Sequence, residues 1–436
     1  MSSSDSVSSD HPPAKVDPYA VWRSSNYRRY SISWFSLVFS KQVETVAVGI
    51  FIYDRTRDPL ALGWIGLVQA LPVMLLAIAG GQIADRWDRR RVLLITFAVG
   101  AAVSFGLLLT TLWGAPLRWM YVLLGIGAIN QALGFPSRGA LLPQLVPAEI
   151  FSNAVTWNST IFQIASMTGP AVGGLVLGPK KYAPAAFALV TVCRLLSVAA
   201  IAGVKSGQKM NAAESISLES VIAGVRYVWA AKLILATITL DLFAVLFGGA
   251  TYLLPIYAED ILHVGASGLG FLRSSEAAGA VCMALLMAHL PPMKHAGRTL
   301  LWAVAGFGAA TIVFGFSPWF WLSLAMMFLV GAFDNVSVVV RHTLVQMLTP
   351  DPMRGRVSAV NGIFIVASND LGGLESGVTA RLFGPVISVV GGGVGAILVV
   401  LATAWKWPQI LTIGSLEKIR PAEVILEEQE QQAELV

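Results

Sequence analysis

The feature that most constrains this chain is the recurrence of apolar runs about 20 residues long, the length an α-helix needs to cross a bilayer. Twelve can be counted: 30–53, 60–83, 91–113, 118–135, 152–177 and 183–203, then 233–258, 267–290, 299–316, 319–340, 357–383 and 385–405. Membrane strands would give shorter, alternating segments, so an outer-membrane barrel is excluded. Composition agrees. With 56% hydrophobic and 13% charged residues among 436, the chain carries too little charge to cover a soluble surface. The expected class is an all-α, multi-pass membrane protein with 12 transmembrane helices.

The net charge of +5 does not call for a nucleic-acid partner, because position explains it. With the N-terminus in the cytoplasm, 21 of 30 Lys and Arg fall in cytoplasmic segments. Six fall in the opposite loops (Arg55, Arg57, Arg118, Lys180, Lys181, Arg381) and three within spans. That bias places both termini in the cytoplasm. The polar opening MSSSDSVSSDHPPAKVD, followed by a run too long for a signal h-region, predicts no cleavable signal peptide. Cys193 and Cys282 both lie in apolar runs, so neither a disulfide framework nor a metal site is expected.

One long polar interruption separates the sixth and seventh spans. Within it Leu218, Ile222, Val225 and Trp229 recur at helical spacing, predicting an amphipathic helix along the cytoplasmic surface. The expected division is an N-terminal tail (1–29), a first bundle (30–203), this linker (204–232), a second bundle (233–405) and a C-terminal tail (406–436). The two bundles are related. Sliding the chain by 203 residues sets Arg138 on Arg341, Leu141 on Leu344, Leu145 on Leu348, Pro147 on Pro350, Asn158 on Asn361, Gly169 on Gly372 and Gly174 on Gly377, without a gap. The match displaces the chain by six helices, giving two six-helix bundles in parallel repeat. In that plan substrate binds between the halves near the midplane, which favours a transporter over a receptor or an enzyme.

After the second span comes GGQIADRWDRRRVLL. It is a tight turn in which Asp85 can accept from backbone N–H groups at a helix start, while Arg86, Arg89, Arg90 and Arg91 can meet carboxylates or lipid phosphates. Here the sequence resembles the major facilitator superfamily, whose loop between helices two and three reads G-x-x-x-D-R-x-G-R-R. Gly81, Asp85, Arg86, Arg89 and Arg90 match it, and Asp88 replaces the second glycine. The form with Asp88, together with QVETVAVGIFIYDRTRDPLALG, LLPQLVP and TPDPMRGRVSAVN, is similar to the branch holding siderophore exporters, such as the enterobactin exporter, and macrolide efflux proteins. The resemblance covers nearly all of 30–405. It implies a major facilitator fold, in which Gly81, Asp85 and the arginines act as a conformational switch at the eleventh helix. The second half keeps only Gly297 and Arg298 of this loop.

The fifth span carries MTGPAVGGL. Pro170 interrupts a helix, while Gly169, Gly173 and Gly174 permit close backbone approach; the core resembles the superfamily's G-P-x-x-G-G antiporter motif. The helix-four arginine of many proton-coupled drug antiporters would fall near Tyr121, and none stands there. No phosphate-binding loop G-x-x-x-x-G-K-[ST] occurs, so nothing in the sequence supports an ATP-driven pump. No nucleophile, base and metal constellation points to an enzyme. No cofactor is called for; the expected energy source is an ion gradient or the substrate's own gradient, and the resemblance favours antiport with protons.

Charges within spans are costly and mark a pathway, relay or binding site. They are Lys41 and Glu44 in span one, Arg194 in six, Asp241 in seven, Arg273 and Glu276 in eight, Asp334 in ten, and Asp370 and Glu375 in eleven. Lys41 and Glu44, three residues apart, share a helical face and can pair, and so can Arg273 and Glu276. Asp370 and Glu375 lie about 140° apart on different faces and suit the interface of spans eleven and two. Asp241 has no partner nearby in sequence, which makes it the stronger candidate for a titrating site. The resemblance implies that helices one, four, seven and ten line the cavity while three, six, nine and twelve face outward. Lys41, Gln42, Glu44, Gln131, Asp241 and Asp334 are therefore the expected substrate or ion pathway, whether Lys41 and Glu44 bind, relay protons or hold packing. Arg194, on an outward helix, has no partner the sequence can name. The expected function is alternating-access export of an amphiphilic small molecule, a drug or siderophore, by proton antiport from the bacterial cytoplasmic membrane. The expected transporter is a monomer with lipid around it; the alternative is a lipid or lysolipid translocator of the same fold.

Overall fold

The computed structural model describes residue 17 and residues 19–178, 182–205, 218–248, 250–291 and 293–414; the side chains of 77–86, 140, 148, 218–221, 250, 351, 352 and 359 lie outside the description. All regular elements among the described residues are helical. The first bundle holds α1 (Ser25–Thr56), α2 (Pro59–Arg86), α3 (Arg89–Leu112), α4 (Leu117–Leu145), α5 (Phe151–Leu177) and α6 (Ala183–Ala202). Then come α7 (Leu218–Ala230), α8 (Lys232–Phe247), α9 (Ala250–Ile256) with a π-helical turn Tyr257–Ile261, and α10 (Gly265–His289). The chain continues through α11 (Ala296–Phe316), α12 (Phe320–Met347), α13 (Asp351–Phe383), α14 (Pro385–Lys406) and the short α15 (Gln409–Thr412). Among the described residues eleven helical segments are long and apolar enough to cross a membrane. The expected twelfth, α4, is a 29-residue helix that carries Asn130, Gln131 and Arg138 and does not reach that hydropathy.

Local chemistry sets the ends of these helices. The Ser24 hydroxyl accepts from the Tyr27 N–H at 3.3 Å to start α1, and Arg57 in the left-handed region (φ 49°) stops it. Asp88, where the related loop has glycine, caps α3: its Oδ1 accepts from the N–H groups of Arg90 at 2.8 Å and Arg91 at 3.4 Å. Gly384, at φ 89°, makes the tight joint between α13 and α14. The seventh run, expected over 233–258, is one span over Lys232–Ile261, described as α8 and as α9 with its π-helical turn on either side of residue 249, which lies outside the described residues. Pro255 has no N–H for the carbonyl of Thr251, and the freed carbonyl takes Arg273 Nη2 at 2.9 Å.

Within the first bundle α1 packs on α5 and α6, α2 on α4, and α3 on α4 and α6. In the second, α8 packs on α13 and α14, α10 on α12, and α11 on α12 and α14. The bundles meet chiefly through α2 with α13 and α5 with α10, where glycines face each other. A Cβ on Gly63 would lie 3.2 Å from the Gly373 carbonyl oxygen, and one on Gly174 would lie 3.0 Å from Gly270 Cα. In lipid, apolar side chains gain nothing from leaving the solvent, so close backbone contact at small residues supplies the attraction.

These contacts lie at one end of the molecule, where α1 gives way to α2 and α13 to α14. There a single apolar cluster runs through both bundles, from Val46, Ile50 and Leu62 to Leu254, Tyr257 and Leu272. At the opposite end, which carries the start of α1 and the end of α14, the buried clusters stay within one bundle each. Polar contacts add to the closed end. The Tyr53 hydroxyl donates to Asp260, Arg57 Nη1 reaches Asp260 Oδ1 at 2.9 Å, and Arg381 pairs with Asp58 at 3.5 Å.

The amphipathic α7 lies against the start of α13 rather than free along a surface. Gly224 abuts the Arg356 carbonyl, Val225 and Val228 pack with Val357 and Val360, and the Tyr227 hydroxyl donates to the Leu348 carbonyl at 3.2 Å. The predicted apolar stripe is split, since Ile222 and Trp229 are 50% and 68% exposed. The buried face is rotated because glycine at 224 admits the α13 backbone where a larger side chain would hold it off.

Gly174→Val should push α5 from α10, because its Cβ would sit 2.5 Å from the Ala266 carbonyl oxygen. Spin labels at Thr56 and His263, in a background lacking both cysteines, should then report a longer and broader distance across the closed end. An unchanged distance distribution would mean that these glycines do not control closure.

Candidate functional site

Between the bundles, beneath the closed end, lies a cavity of about 570 Å³. Its wall draws on α1 (Trp34, Lys41, Gln42, Glu44), α2 (Gln69), α4 (Asn130, Gln131, Arg138), α9 (Tyr252, Pro255) and α13 (Asn369, Asp370). Thr96 and Gly100 of α3 and Arg194 and Ser197 of α6 also line it, so these two helices do not simply face outward.

Glu44 is the centre of the polar network. Its side chain is 5% exposed, and its carboxylate takes Arg194 Nη2 at 2.7 Å and Lys41 Nζ at 3.4 Å. The expected Lys41–Glu44 pair is present but is the looser of the two contacts. Lys41 also donates to Gln69 Oε1 at 3.2 Å. Arg194 can reach Glu44 because α3 has a glycine in its path: a Cβ on Gly100 would lie 3.2 Å from Arg194 Nη1, which donates to the Gly100 carbonyl at 2.9 Å. A guanidinium left facing lipid would cost several kcal/mol, on the order of 3 or more. Turning it inward onto a carboxylate removes that cost.

Gln42 Nε2 donates to Ser166 Oγ at 3.4 Å, one turn before Pro170. Gly169 and Gly173 let α5 close on Gln42 and Val43 of α1, while Gly174 faces α10. The motif of span five therefore touches both the cavity wall and the closure.

Other expectations need correction. Asp241 is not solitary and does not line the cavity; it is buried and ion-paired with Arg341 from α12, a residue 100 positions away that sequence spacing could not suggest. Asp334 is not in the main cavity either. It lines a smaller adjoining space of about 80 Å³ with Glu276, Thr311 and Asn369, the last of which also lines the main cavity. Among the described residues Arg273 and Glu276 form no ion pair, because the Arg273 guanidinium is drawn to the Thr251 carbonyl that Pro255 leaves free. Asp370 places its backbone carbonyl against Gly66 of α2, but its carboxylate turns into the cavity and accepts from the Tyr252 hydroxyl at 2.7 Å. Glu375 lies away from α2, beside Phe247, Thr379 and Ser388.

In the loop after α2, Arg90 Nη2 donates to the Ala202 carbonyl at 2.6 Å, closing the carbonyl end of α6. Arg89 makes a further interaction of its own. The side chains of Gly81, Asp85 and Arg86 lie outside the described residues. Sequence reasoning passed over Gln69, Asn130 and Tyr252, whose only signal was a polar atom in an apolar run. It read Arg138 and Arg341 solely as repeat markers.

Two half-bundles joined at one end around a charged cavity define a multi-pass membrane transporter of small molecules, not an enzyme. The chain belongs to the major facilitator superfamily: residues 18–426 match the family described as transmembrane secretion effector. It is 25% identical over 379 residues to the enterobactin exporter EntS of Escherichia coli O1:K1 / APEC, covering 86% of this chain and 89% of that one. The same identity and coverage hold for EntS of Shigella boydii serotype 18. Among solved structures, a mutant of the nucleoside transporter NupG superposes with a TM-score of 0.71 at 11% identity, over 88% of this chain and 100% of that one. A bacterial homolog of the human lysosomal transporter Spinster, inward-facing and occupied, gives 0.70 at 14% identity, over 91% and 99%.

Glu44→Gln should leave Arg194 without its counter-charge and destabilise the fold by about 3 kcal/mol. Lys41→Gln should cost about 1 kcal/mol or less, since the Lys41 side chain is 39% exposed and its contact to Glu44 is longer. Thermal melting of the two variants in detergent tests the ranking; equal melting temperatures would contradict it.

Proposed function

We propose that this chain exports an amphiphilic small molecule, a drug or a siderophore, from the bacterial cytoplasm by alternating access. The observation that carries the reading is the charged cavity closed at one end only by glycine-mediated contacts between bundles. Likeness to the enterobactin exporter along 86% of the chain supports the export direction. Arg28 and Arg29 near the start of α1, Arg89 and Arg90 at the start of α3, Arg226 on α7 and Arg354 near the start of α13 belong to the end opposite the closure, which supports a cytoplasmic side there and cytoplasmic termini. In this reading 30–203 and 233–405 are the two rocking bundles in the inner membrane. The loop of Gly81, Asp85, Arg86, Arg89 and Arg90 is the switch that senses their approach. The single chain in lipid is the transporting unit, and no cofactor is needed.

Export is coupled to proton entry, and the carriers are Asp334 and Glu276. Both carboxylates face the same small cavity without a cation in contact among the described residues. A buried carboxylate lacking a cation is costly to keep ionised, which suits it to take up and release a proton during the cycle. Glu44 and Asp241 are each held by arginine and serve the packing of their bundles.

Inverted membrane vesicles containing the protein should accumulate erythromycin or enterobactin, and an uncoupler should abolish the accumulation. Asp334→Asn, with insertion checked by detergent extraction and gel filtration, should lower the rate about tenfold or more. Accumulation that ignores both the uncoupler and Asp334→Asn would remove proton antiport, and no accumulation of either compound would remove the proposed substrate class.

A further inference from the structure

We propose that Arg138 is an anion-accepting subsite of the cavity, and that the molecule carried presents an anionic group on an aromatic ring. The inference deepens the export reading and rests on it.

The cavity wall carries four cations, Lys41, Arg138, Arg194 and Arg273, against two carboxylates, Glu44 and Asp370. Both carboxylates are occupied, Glu44 by Arg194 and Lys41 and Asp370 by Tyr252. Arg138 alone among these cations has no hydrogen bond or ion pair among the described residues. It is held by ring faces instead: its guanidinium carbon lies 4.3 Å from the centroid of Trp34 and 4.9 Å from that of Phe135. Phe162 extends this wall, stacked on Trp34 at 6.2 Å and 20°. Both rings and Arg138 line the cavity.

The internal repeat shows that this arrangement belongs to one half only. Arg341, the counterpart of Arg138 at a displacement of 203, is buried and paired with Asp241. The same displacement puts Val38 where the second half has Asp241, Trp34 opposite Thr237 and Phe135 opposite Val338. The first half thus lacks the acid that neutralises the arginine and supplies two rings in its place. Valine at 38 also lines the cavity, and among the described residues no carboxylate pairs with Arg138 in place of the missing one.

A guanidinium stacked on rings keeps its edge N–H groups free, and that planar fork suits a carboxylate or phenolate better than any neutral group. A net positive wall of low polarity disfavours a cationic substrate and leaves an unpaired charge that an anionic ligand relieves. The neighbouring rings favour an arene carrying that anion.

Equilibrium dialysis of the purified full chain in lipid nanodiscs, with empty nanodiscs subtracted, can test this with 2-naphthoate, neutral 2-naphthamide and cyclohexanecarboxylate. Naphthoate should bind about tenfold or more tightly than naphthamide and than cyclohexanecarboxylate. Arg138→Gln should bring naphthoate and naphthamide to within about twofold, and Arg138→Lys should keep part of the preference. Trp34→Leu should weaken naphthoate and leave cyclohexanecarboxylate unchanged. Equal binding of the three probes, no binding of any, or a preference that survives Arg138→Gln would overturn the proposal. Binding selectivity with no vesicle flux would fault the export reading alone; vesicle flux with no charge selectivity would fault this inference alone.

Discussion

Between Gly63 and Gly373, between Gly66 and Asp370, and between Gly174 and Gly270, the backbones of opposite bundles meet with no side chain between them. Lipid offers apolar side chains the same environment as a protein interior, so bundles can hold together only where atoms come into close van der Waals contact or hydrogen bond. Small residues make that contact at one end. At the opposite end the bundles' apolar clusters stay separate. The cavity is the space this one-sided closure leaves. Closure that rests on close backbone contact and one shared apolar cluster, with a few exposed ion pairs at Asp58 and Asp260, has no covalent tie and can be released.

Charge inside the membrane is distributed by the same economy of solvation. Each bundle contains one buried arginine that has found a carboxylate on another helix: Arg194 with Glu44 in the first, Arg341 with Asp241 in the second. Removing one partner from such a pair exposes the other to the full cost of burial, so both pairs tie their helices together. Arg273 is spent differently, on the carbonyl that Pro255 leaves without a donor. The proline of the seventh span and the position of a cavity arginine are therefore one arrangement. What is left over, the cations of the cavity wall and the carboxylates of the smaller cavity, is the chemistry available to cargo and coupling ion.

Much of this was legible beforehand, and the gaps follow a pattern. Lys41 and Glu44 could be paired by eye because helical geometry brings residues three apart onto one face. The same rule failed for Arg273 and Glu276, since a proline on a different helix offered the arginine a better acceptor. Asp241 looked solitary because its partner lies 100 residues away on α12. The stripe of α7 was read from periodicity alone, which cannot know that Gly224 would draw α13 onto an adjacent face. Asp88 looked like a departure from a loop pattern, and it is the cap of α3.

The sequence by itself determined the membrane class, the helical runs, the parallel repeat and most of the charges within the spans, though not Arg341. These depend on periodicity, hydropathy and composition, which are properties of neighbouring residues. Which charge meets which, which helices line the cavity and which end is closed were decided only by the tertiary structure. Those outcomes depend on contacts between residues far apart in the chain, and on glycines and a proline whose effect is felt on another helix.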